Sequence, residues 1–211
     1  YQFQVNVQGV PIGAEALLRW NHSTRGLVPP AQFIALAEQT SVGQLLGQWV
    51  LDSACNQLVL WSLQPTTAGW TLAINVGRSQ FDDESFVTQI TTALHKTGAN
   101  PQRLKLELTE SMLMNDSLET RTKMHAIKAL GVGFSLDDFG TGYSSLLHLQ
   151  RLPLDQLKID QSFVQDLLTQ PGDATVARSV VALGHSMGLT VIAEGVETAE
   201  QRNMLAELGC D

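Results

Sequence analysis

The sequence has few cysteines, no long apolar segment and no excess of positive charge, and each of these absences excludes a class of protein. Cys55 and Cys210 are the only cysteines in 211 residues, which argues against a disulfide scaffold and favours a reduced, cytoplasmic chain. No run of about 18 apolar residues occurs, so any membrane tether is expected in another part of a longer parent protein. The formal charge of −8 argues against nonspecific binding to DNA or RNA polymers.

Several familiar site patterns are absent as well. No dinucleotide fingerprint opens the first strand–helix unit, and neither a P-loop nor a Ser-His-Asp arrangement is visible. The histidines share no ligand spacing and are expected in loops or helices, which disfavours zinc. They are His22, His95, His125, His148 and His185. Oxygen ligands, and therefore Mg²⁺ or Mn²⁺, are expected for any metal site.

What the sequence does contain is a set of six short apolar runs that each stop at a charged or amide residue. This pattern is typical of buried strands that deliver a side chain to one edge of a sheet. Such convergence favours a metal-dependent active site over scattered surface charges. The runs stop at Glu15, Asn75, Glu107, Asp137-Asp138, the Lys158-Ile-Asp160 segment and Glu194.

Helical patterns lie between these runs, so the chain reads as repeated strand–helix units of about 30 residues with parallel strands. The helical patterns cover 30–61 with a break near 40–43, then 82–94, 117–130, 144–149, 173–187 and 200–208. Polar residues at the ends of many strands predict an α/β fold of the (β/α)8 barrel class. We expect one domain over 1–211 with an antiparallel first strand at 1–7, and an eighth strand and last helix missing from the chain.

The segment Asp137-Asp-Phe-Gly-Thr-Gly-Tyr-Ser-Ser145 carries the strongest signal. Burying adjacent aspartates at the end of an apolar strand is costly unless cations neutralise them. One carboxylate can bridge two metal ions about 3.5–4 Å apart while its neighbour holds the second ion. Strand alternation points Asp137 and Asp138 to opposite faces unless the strand ends between them. The alternative interpretation is an Asp helix cap followed by a glycine turn.

Two further strand ends carry an acid with the parity of a metal ligand. Glu107 fits such a position, with an ion pair to Lys105 as the alternative, whereas Glu110 fits a loop anchor because it opens the next helix. Glu15 also fits a ligand and shares a strand face with Arg19, whose guanidinium suits a phosphate. An ordinary strand with an ion pair is the alternative for Glu15.

Lys158 lies on an inward-facing strand, where its charge next to metal ions would orient and activate a water. A buried pair with Asp160 is the alternative interpretation. Glu194 and Glu197 flank a glycine, and the loop-anchoring role fits Glu197 better than Glu194. Of these residues, Lys158 is the candidate catalytic group.

Six short motifs occur together and in a fixed order. They are Glu15-Ala-Leu-Leu-Arg-Trp20, Ile74-Asn-Val76, Glu107-Leu-Thr-Glu110, the 137–145 segment, Leu157-Lys-Ile-Asp160 and Ala193-Glu-Gly-Val-Glu-Thr198. With these motifs, which extend over essentially the whole chain, the sequence resembles the EAL-domain family of bacterial cyclic-di-GMP phosphodiesterases. Any one motif is weak evidence, but the six together are specific.

The resemblance implies a (β/α)8 barrel and two-metal hydrolysis of one phosphodiester bond of cyclic-di-GMP, giving linear pGpG. It also implies a homodimer and fusion to sensory or diguanylate-cyclase modules outside this chain. Carried over by position, Lys158 and Glu194 handle the attacking water, Glu110 anchors the loop of the 137–145 segment, and Arg19 and Gln2 contact substrate. The implied metal ligands for two Mg²⁺ or Mn²⁺ ions are Glu15, Asn75, Glu107, Asp137 and Asp138.

The sequence departs from the family pattern in three places. Phe3 stands where the family usually has proline, which puts the substrate contact of Gln2 in doubt. Gly77 replaces the usual serine after the Asn-Val pair, and this change is expected to be tolerated. The Gln-Gly-Tyr segment that normally follows Leu-Gly-Cys-Asp211 is absent, and with it an active-site glutamine and the eighth strand.

Two alternatives to an active phosphodiesterase remain at this point. The first is a degenerate EAL domain that binds cyclic-di-GMP as a receptor without cleaving it, although such receptors typically lose metal ligands and here every visible ligand is present. The second is a different metal-dependent barrel hydrolase. Turnover of cyclic-di-GMP by the full-length domain separates the first alternative from the enzyme.

Overall fold

The computed structural model describes residues 1–113, 117–140 and 146–211, without the side chains of Leu146 and Leu147. The chain divides into two compact units. Unit 1 consists of 1–4, 11–106 and 129–132, and unit 2 consists of 5–10, 107–128 and 133–211. Each unit is described by itself below.

Unit 1 carries the N-terminal strands and the longest helix among the described residues. In its later part, helical segments separate successive strands, as the sequence predicts. They are β1 (Gln2–Val5), β2 (Pro11–Ala16), β3 (Trp20–His22), β4 (Gly26–Val28), a 3₁₀ turn (Pro30–Gln32), α1 (Ile34–Glu38), α2 (Ser41–Ser62), β5 (Thr71–Asn75), α3 (Arg78–Asp82), α4 (Phe86–Thr97), a second 3₁₀ turn (Pro101–Arg103) and the first half of β6 (Leu104–Thr109).

The sheet order in unit 1 is β1-β2-β5. Strands β2 and β5 are parallel, with Glu15 opposite Ala73. The connection from β1 to β2 spans only residues 6–10 and closes with the amide of Asn6 donating to the carbonyl of Val10 at 3.0 Å. Because adjacent parallel strands need a crossover of a dozen or more residues, β1 is antiparallel to β2. The predicted antiparallel first strand is therefore confirmed.

Helix α2 shows why the 30–61 pattern breaks where it does. The side chain of Thr40 accepts a hydrogen bond from the amide of Val42 and caps the start of α2, which separates it from α1. Its buried face follows the i, i+3, i+4, i+7 spacing of an amphipathic helix. That face consists of Leu51, Ala54, Cys55 and Leu58.

Unit 2 holds the second half of β6 and the C-terminal strand–helix units. Its other elements are α5 (Glu110–Leu113), α6 (Leu118–Ala129, whose last residue belongs to unit 1), β7 (Gly133–Phe139), α7 (Leu146–Leu149), β8 (Gln156–Ile159), α8 (Gln161–Gln165), α9 (Pro171–Ser186), β9 (Thr190–Ala193) and α10 (Ala199–Leu208). The predicted helical segments are confirmed within a few residues at each end.

Three parallel strands form the framework of unit 2 in the order β7-β8-β9. All four residues of β8 are buried, as expected for a strand with neighbours on both sides and helices over its face. Lys158 lies opposite Ile192 of β9. The pairing of β7 with β8 shifts register between Leu136 and Phe139, which places an irregularity at the Asp137–Asp138 pair.

The structure corrects several details of the sequence prediction. Strands β6 and β7 continue beyond Glu107 and Asp137 instead of stopping there. The antiparallel β3–β4 pair was not predicted, and it places His22 in a strand rather than in a loop or helix. Strand β2 ends at Ala16, so strand alternation does not extend to Arg19. In the described part of the chain, no helix is both long enough and apolar enough to cross a bilayer.

Candidate active site

The most unusual feature of unit 2 is a buried lysine surrounded by three carboxylates. Lys158 is 1% exposed, and its Nζ lies 2.9 Å from Oε2 of Glu107 and 3.2 Å from Oδ1 of Asp137. The same Nζ forms a close ion pair with Oε1 of Glu194. A buried ammonium is tolerable only when it is paired and hydrogen-bonded, and these three partners meet that requirement.

The elements of unit 2 explain how the four charged side chains meet. Lys158 is on β8, Glu107 and Asp137 are on β6 and β7, and Glu194 directly follows β9, where its amide donates to the carbonyl of Ile159 at 3.1 Å. The side chains thus come from neighbouring strands and their ends, as the runs predicted. Three carboxylates outnumber the one ammonium, so the cluster retains negative charge that a bound cation would offset.

A backbone bend resolves how two adjacent aspartates reach one region. Asp138 has a φ of 56° and is the one non-glycine residue with a positive φ among the described residues. Its amide donates to Oδ1 of Asp137 at 3.0 Å. The register shift and the left-handed residue together break strict strand alternation. The strand therefore bends at Asp137 and Asp138. It does not end between them, which was the alternative that the sequence analysis offered.

Asp138 lies in an acidic environment. Partial burial is the largest cause that raises the pKa of its carboxyl, followed by the charges of Asp137 and Asp160 and a hydrogen bond with Asp160, while Lys158 opposes the increase. Asp160 also accepts a hydrogen bond from the amide of Ser162 at 2.9 Å and caps α8. A raised pKa at an acid pair is what a bound cation would reverse.

The sequence predicts Asp160 only as an alternative partner for Lys158. The structure places it beside Asp138 instead, so it is an additional acid of this cluster. The signal that could have identified it is its position two residues after Lys158, which gives both residues the same strand parity.

Glu110 opens helix α5, as predicted, and is 4% exposed. Neither of its carboxylate oxygens has a hydrogen-bond partner among the described residues. A buried carboxylate without a partner is costly, so a donor from a neighbouring segment is expected. Its predicted contact with the loop of the 137–145 segment stays a prediction, because 141–145 lie outside the described residues.

In unit 1, the structure brings together Glu15 and Asn75. Nδ2 of Asn75 donates a hydrogen bond to Oε1 of Glu15 at 2.6 Å. Glu15 is half-buried near the end of β2, and Asn75 is the exposed last residue of β5. A β-carbon at Gly13, two residues before Glu15, would lie 2.5 Å from Oγ1 of Thr71. The small residue below the acid is therefore required by the close approach of the two strands.

The two predicted substrate contacts are at the surface of unit 1. Arg19 is exposed, and its Nη1 donates to the carbonyl of Leu18 at 2.8 Å. Gln2 is exposed on β1, and alternation places it on the face opposite Phe3. The ring of Phe3 lies 5.5 Å from that of Trp70, so the residue that replaces the family's proline packs against an aromatic neighbour.

A cavity of about 350 Å³ adjoins Asn75 within unit 1. Its walls come from the ends of β2 and β5, from α1, α2 and α3 and from the 3₁₀ turn before α1. They are largely apolar, with Glu38, Asn75, Ser79 and Gln80 as polar members. A β-carbon at Gly77 would lie 2.5 Å from Oε1 of Glu38. The glycine that replaces the family's serine thus makes room for this carboxylate.

The residues present fit a hard divalent cation by donor type. Every predicted ligand offers a carboxylate or amide oxygen, the atoms that Mg²⁺ and Mn²⁺ prefer. Within the described residues, no three acids, histidines or cysteines already stand in a metal-binding arrangement. In unit 2 the ammonium of Lys158 lies among Glu107, Asp137 and Glu194.

Comparison with known proteins identifies the family. The EAL domain model matches residues 1–211. The chain belongs to the EAL family. The resemblance read from the six motifs is therefore confirmed.

Two curated relatives share much of their sequence with this EAL chain. It is 45% identical over 203 residues to the bifunctional diguanylate cyclase/cyclic di-GMP phosphodiesterase MucR of Pseudomonas aeruginosa, covering 96% of this chain and 30% of MucR. It is 39% identical over 198 residues to another cyclic di-GMP phosphodiesterase of that organism, covering 94% of this chain and 33% of the relative. The chain thus spans about a third of the length of these relatives.

A solved structure, the PaMucR phosphodiesterase in complex with c-di-GMP, matches the chain with a TM-score of 0.95 at 45% identity. The match covers 100% of this chain and 85% of that one. The predicted α/β fold of the (β/α)8 class is confirmed by this agreement.

Proposed function

We propose that this EAL chain hydrolyses one phosphodiester bond of cyclic-di-GMP and releases linear pGpG. The observation that carries the proposal is the buried ammonium of Lys158 with Glu107, Asp137 and Glu194 around it. Family membership and the names of two similar proteins, both cyclic di-GMP phosphodiesterases, support the choice of substrate. In the reaction a water oxygen bonds to phosphorus, and the bond from phosphorus to a ribose 3′ oxygen breaks.

The EAL family depends on divalent metal, and we propose two Mg²⁺ or Mn²⁺ ions for this chain. When bound, the ions supply positive charge that offsets the phosphate and lower the pKa of a water. The donor types and family positions support one set of ligands. That set is Glu15, Asn75, Glu107, Asp137 and Asp138.

Lys158 and Glu194 have complementary roles in this proposal. The ammonium of Lys158 has three N–H donors, and three carboxylates lie in contact with it. Lys158 therefore acts on the attacking water through its positive charge and through the position of Glu194, which it holds by an ion pair. The side chain of Glu194 is 27% exposed, compared with 0% for Glu107. Glu194 is therefore the carboxylate that a water reaches and that accepts its proton.

The remaining predicted residues bind the substrate or anchor a loop. Arg19 offers a guanidinium to a phosphate oxygen, and Gln2 contacts a guanine. Glu110 anchors the loop of the 137–145 segment. The cavity beside Asn75 has the size of a small-molecule site, which supports a ligand larger than a single phosphate.

Partners and compartment follow from the same family. We propose that the domain works as a homodimer in the cytoplasm and that residues 1–211 belong to a single catalytic domain. We also propose that it is joined to sensory or diguanylate-cyclase modules of a longer parent protein, which can be tethered to a membrane outside this chain. The small share of each relative that the chain covers supports the additional modules. Cys55 and Cys210 are both free thiols, which supports a reducing compartment.

The test is turnover of cyclic-di-GMP by the full-length domain with Mg²⁺ or Mn²⁺, with pGpG measured by chromatography. Wild-type protein should convert the substrate, and Glu15→Ala should abolish conversion. Glu84→Ala, which removes an exposed acid elsewhere in unit 1, should leave the rate unchanged. Tight binding of cyclic-di-GMP without turnover would instead support a receptor and overturn the enzyme.

A further inference from the structure

Gln201 is a buried amide in α10 that fixes the end of the loop carrying Glu194. The residue is 6% exposed. Its Oε1 accepts hydrogen bonds from the amides of Glu197 at 2.8 Å and Thr198 at 3.0 Å. One side-chain oxygen therefore holds two consecutive backbone amides just before α10 begins.

The other end of this loop is fixed against the segment that follows β8. The amide of Glu194 donates to the carbonyl of Ile159 at 3.1 Å. Gly195 has a φ of 67°, and a β-carbon there would lie 2.8 Å from the β-carbon of Gln161. The loop from Glu194 to Thr198 thus passes too close to α8 for any side chain at Gly195, and it is held at both ends.

The amide nitrogen of Gln201 reaches the far end of α8. Its Nε2 donates to the carbonyls of Val164 at 3.1 Å and Gln165 at 3.4 Å. Helix α8 begins at the Asp160 cap, two residues after Lys158. Gln201 thus connects the segment that follows Lys158 with the loop that follows Glu194.

We propose that Gln201 is a positioning residue that holds Glu194 in ion-pairing contact with Lys158. This inference rests on the proposed phosphodiesterase function, in which that pair handles the attacking water. All four hydrogen-bonding positions of the Gln201 amide are used, two as acceptor and two as donor. An amide suits this position and a carboxylate does not, because a carboxylate can hold the loop but repels the two carbonyls of α8.

The decisive variant is Gln201→Glu. It keeps the acceptor for the amides of Glu197 and Thr198, so α10 and the fold should persist, but it removes the donor to α8. We expect kcat to fall at least about tenfold with KM within about twofold, because Glu194 is misplaced while substrate binding is kept. In Gln201→Ala, which removes all four hydrogen bonds, kcat should fall further.

Thr198→Ala is the matched control. It removes the reciprocal half of the capping box, in which Oγ1 of Thr198 accepts from the amide of Gln201 at 3.1 Å. The thermal midpoint should fall because a helix cap is lost, but kcat should stay within about twofold of wild type. A kcat loss in Thr198→Ala equal to that in Gln201→Glu would show that α10 stability alone matters, and would overturn the positioning role.

A second readout does not depend on turnover. In protein labelled at the lysine ε-carbon, the carbon-13 signal of Lys158, identified by its loss in Lys158→Arg, should shift in Gln201→Glu as it does in Glu194→Gln. It should not shift in Thr198→Ala. If wild-type protein has no turnover, the proposed function fails and this signal alone decides the role of Gln201. An unchanged signal and unchanged kcat in Gln201→Glu would overturn the inference.

Discussion

The two units balance their candidate site charges in different ways. In unit 2, Glu107, Asp137 and Glu194 surround an ammonium that the protein itself provides. In unit 1, Glu15 accepts a hydrogen bond from the neutral amide of Asn75. The first arrangement is buried and charge-paired, whereas the second is half-buried and joins a carboxylate to a neutral amide.

Because of this difference, we expect substitutions in the two units to affect stability and activity to different extents. A buried carboxylate that loses its counter-charge destabilises the folded state, because water cannot replace the partner. A carboxylate near the surface loses much less, because water screens it. We therefore expect changes in unit 2 to affect stability and activity together, and changes in unit 1 to affect mainly activity.

The largest expected effect comes from Lys158→Met. This variant leaves Glu107 and Asp137 buried without the ammonium, and the free energy of unfolding should fall by about 3–5 kcal/mol in metal-free protein. Urea denaturation followed by circular dichroism measures the loss. Turnover should also disappear, because no group then orients the water.

Lys128→Met is the control for that experiment. Nζ of Lys128 lies 2.5 Å from Oδ1 of Asp155, but both side chains are about one-third exposed. The loss should stay below about 1 kcal/mol, as for other solvent-exposed pairs. Equal losses in the two variants would contradict the difference between buried and exposed pairs.

A smaller effect is expected in unit 1 from Asn75→Asp. Two carboxylates would then face each other where an amide now bonds to Glu15, and the free energy of unfolding should fall by about 1 kcal/mol without metal. Because the cause is like-charge repulsion, saturating Mg²⁺ should reverse the loss in thermal unfolding experiments. Asn75→Ala, which removes the hydrogen bond without adding charge, should show no such recovery.

The smallest expected effect is the pH dependence of stability that comes from one cysteine thiol in each unit. Burial raises the pKa of Cys55 to about 11, with the charge of Asp52 as the second cause. Burial raises the pKa of Cys210 to about 12, with Asp211 as the second cause. In the unfolded chain a thiol titrates near a pKa of about 8.5. The folded state therefore retains the thiol protons to a higher pH than the unfolded chain does. The free energy of unfolding falls as pH rises above about 8.5.

The alkaline loss should be less than about 1 kcal/mol per thiol at pH 9. Urea denaturation at pH 7.5 and pH 9 measures it. Cys55→Ala should reduce the difference between the two pH values, whatever its effect on stability at pH 7.5. An unchanged difference would show that other groups cause the alkaline loss.

The strand ends of the site were predictable, but their contacts were not. Alternating apolar runs and helical patterns located the strands that carry Glu15, Asn75 and Lys158, because burial periodicity is a local property of the sequence. The convergence of three carboxylates on Lys158 depends on strand order and register, which local sequence patterns do not predict. The bend at Asp138 likewise follows from pairing between β7 and β8, and parity alone gave the wrong geometry.

The left-handed backbone at Asp138 restricts how this position can evolve. Asparagine and glycine adopt that conformation readily, whereas β-branched and other bulky residues cost about 1 kcal/mol or more. Both tolerated residues are one nucleotide substitution away from aspartate. A single nucleotide substitution can therefore remove the acid at position 138 while the bend is kept, so the loss of this proposed metal ligand needs no change of fold.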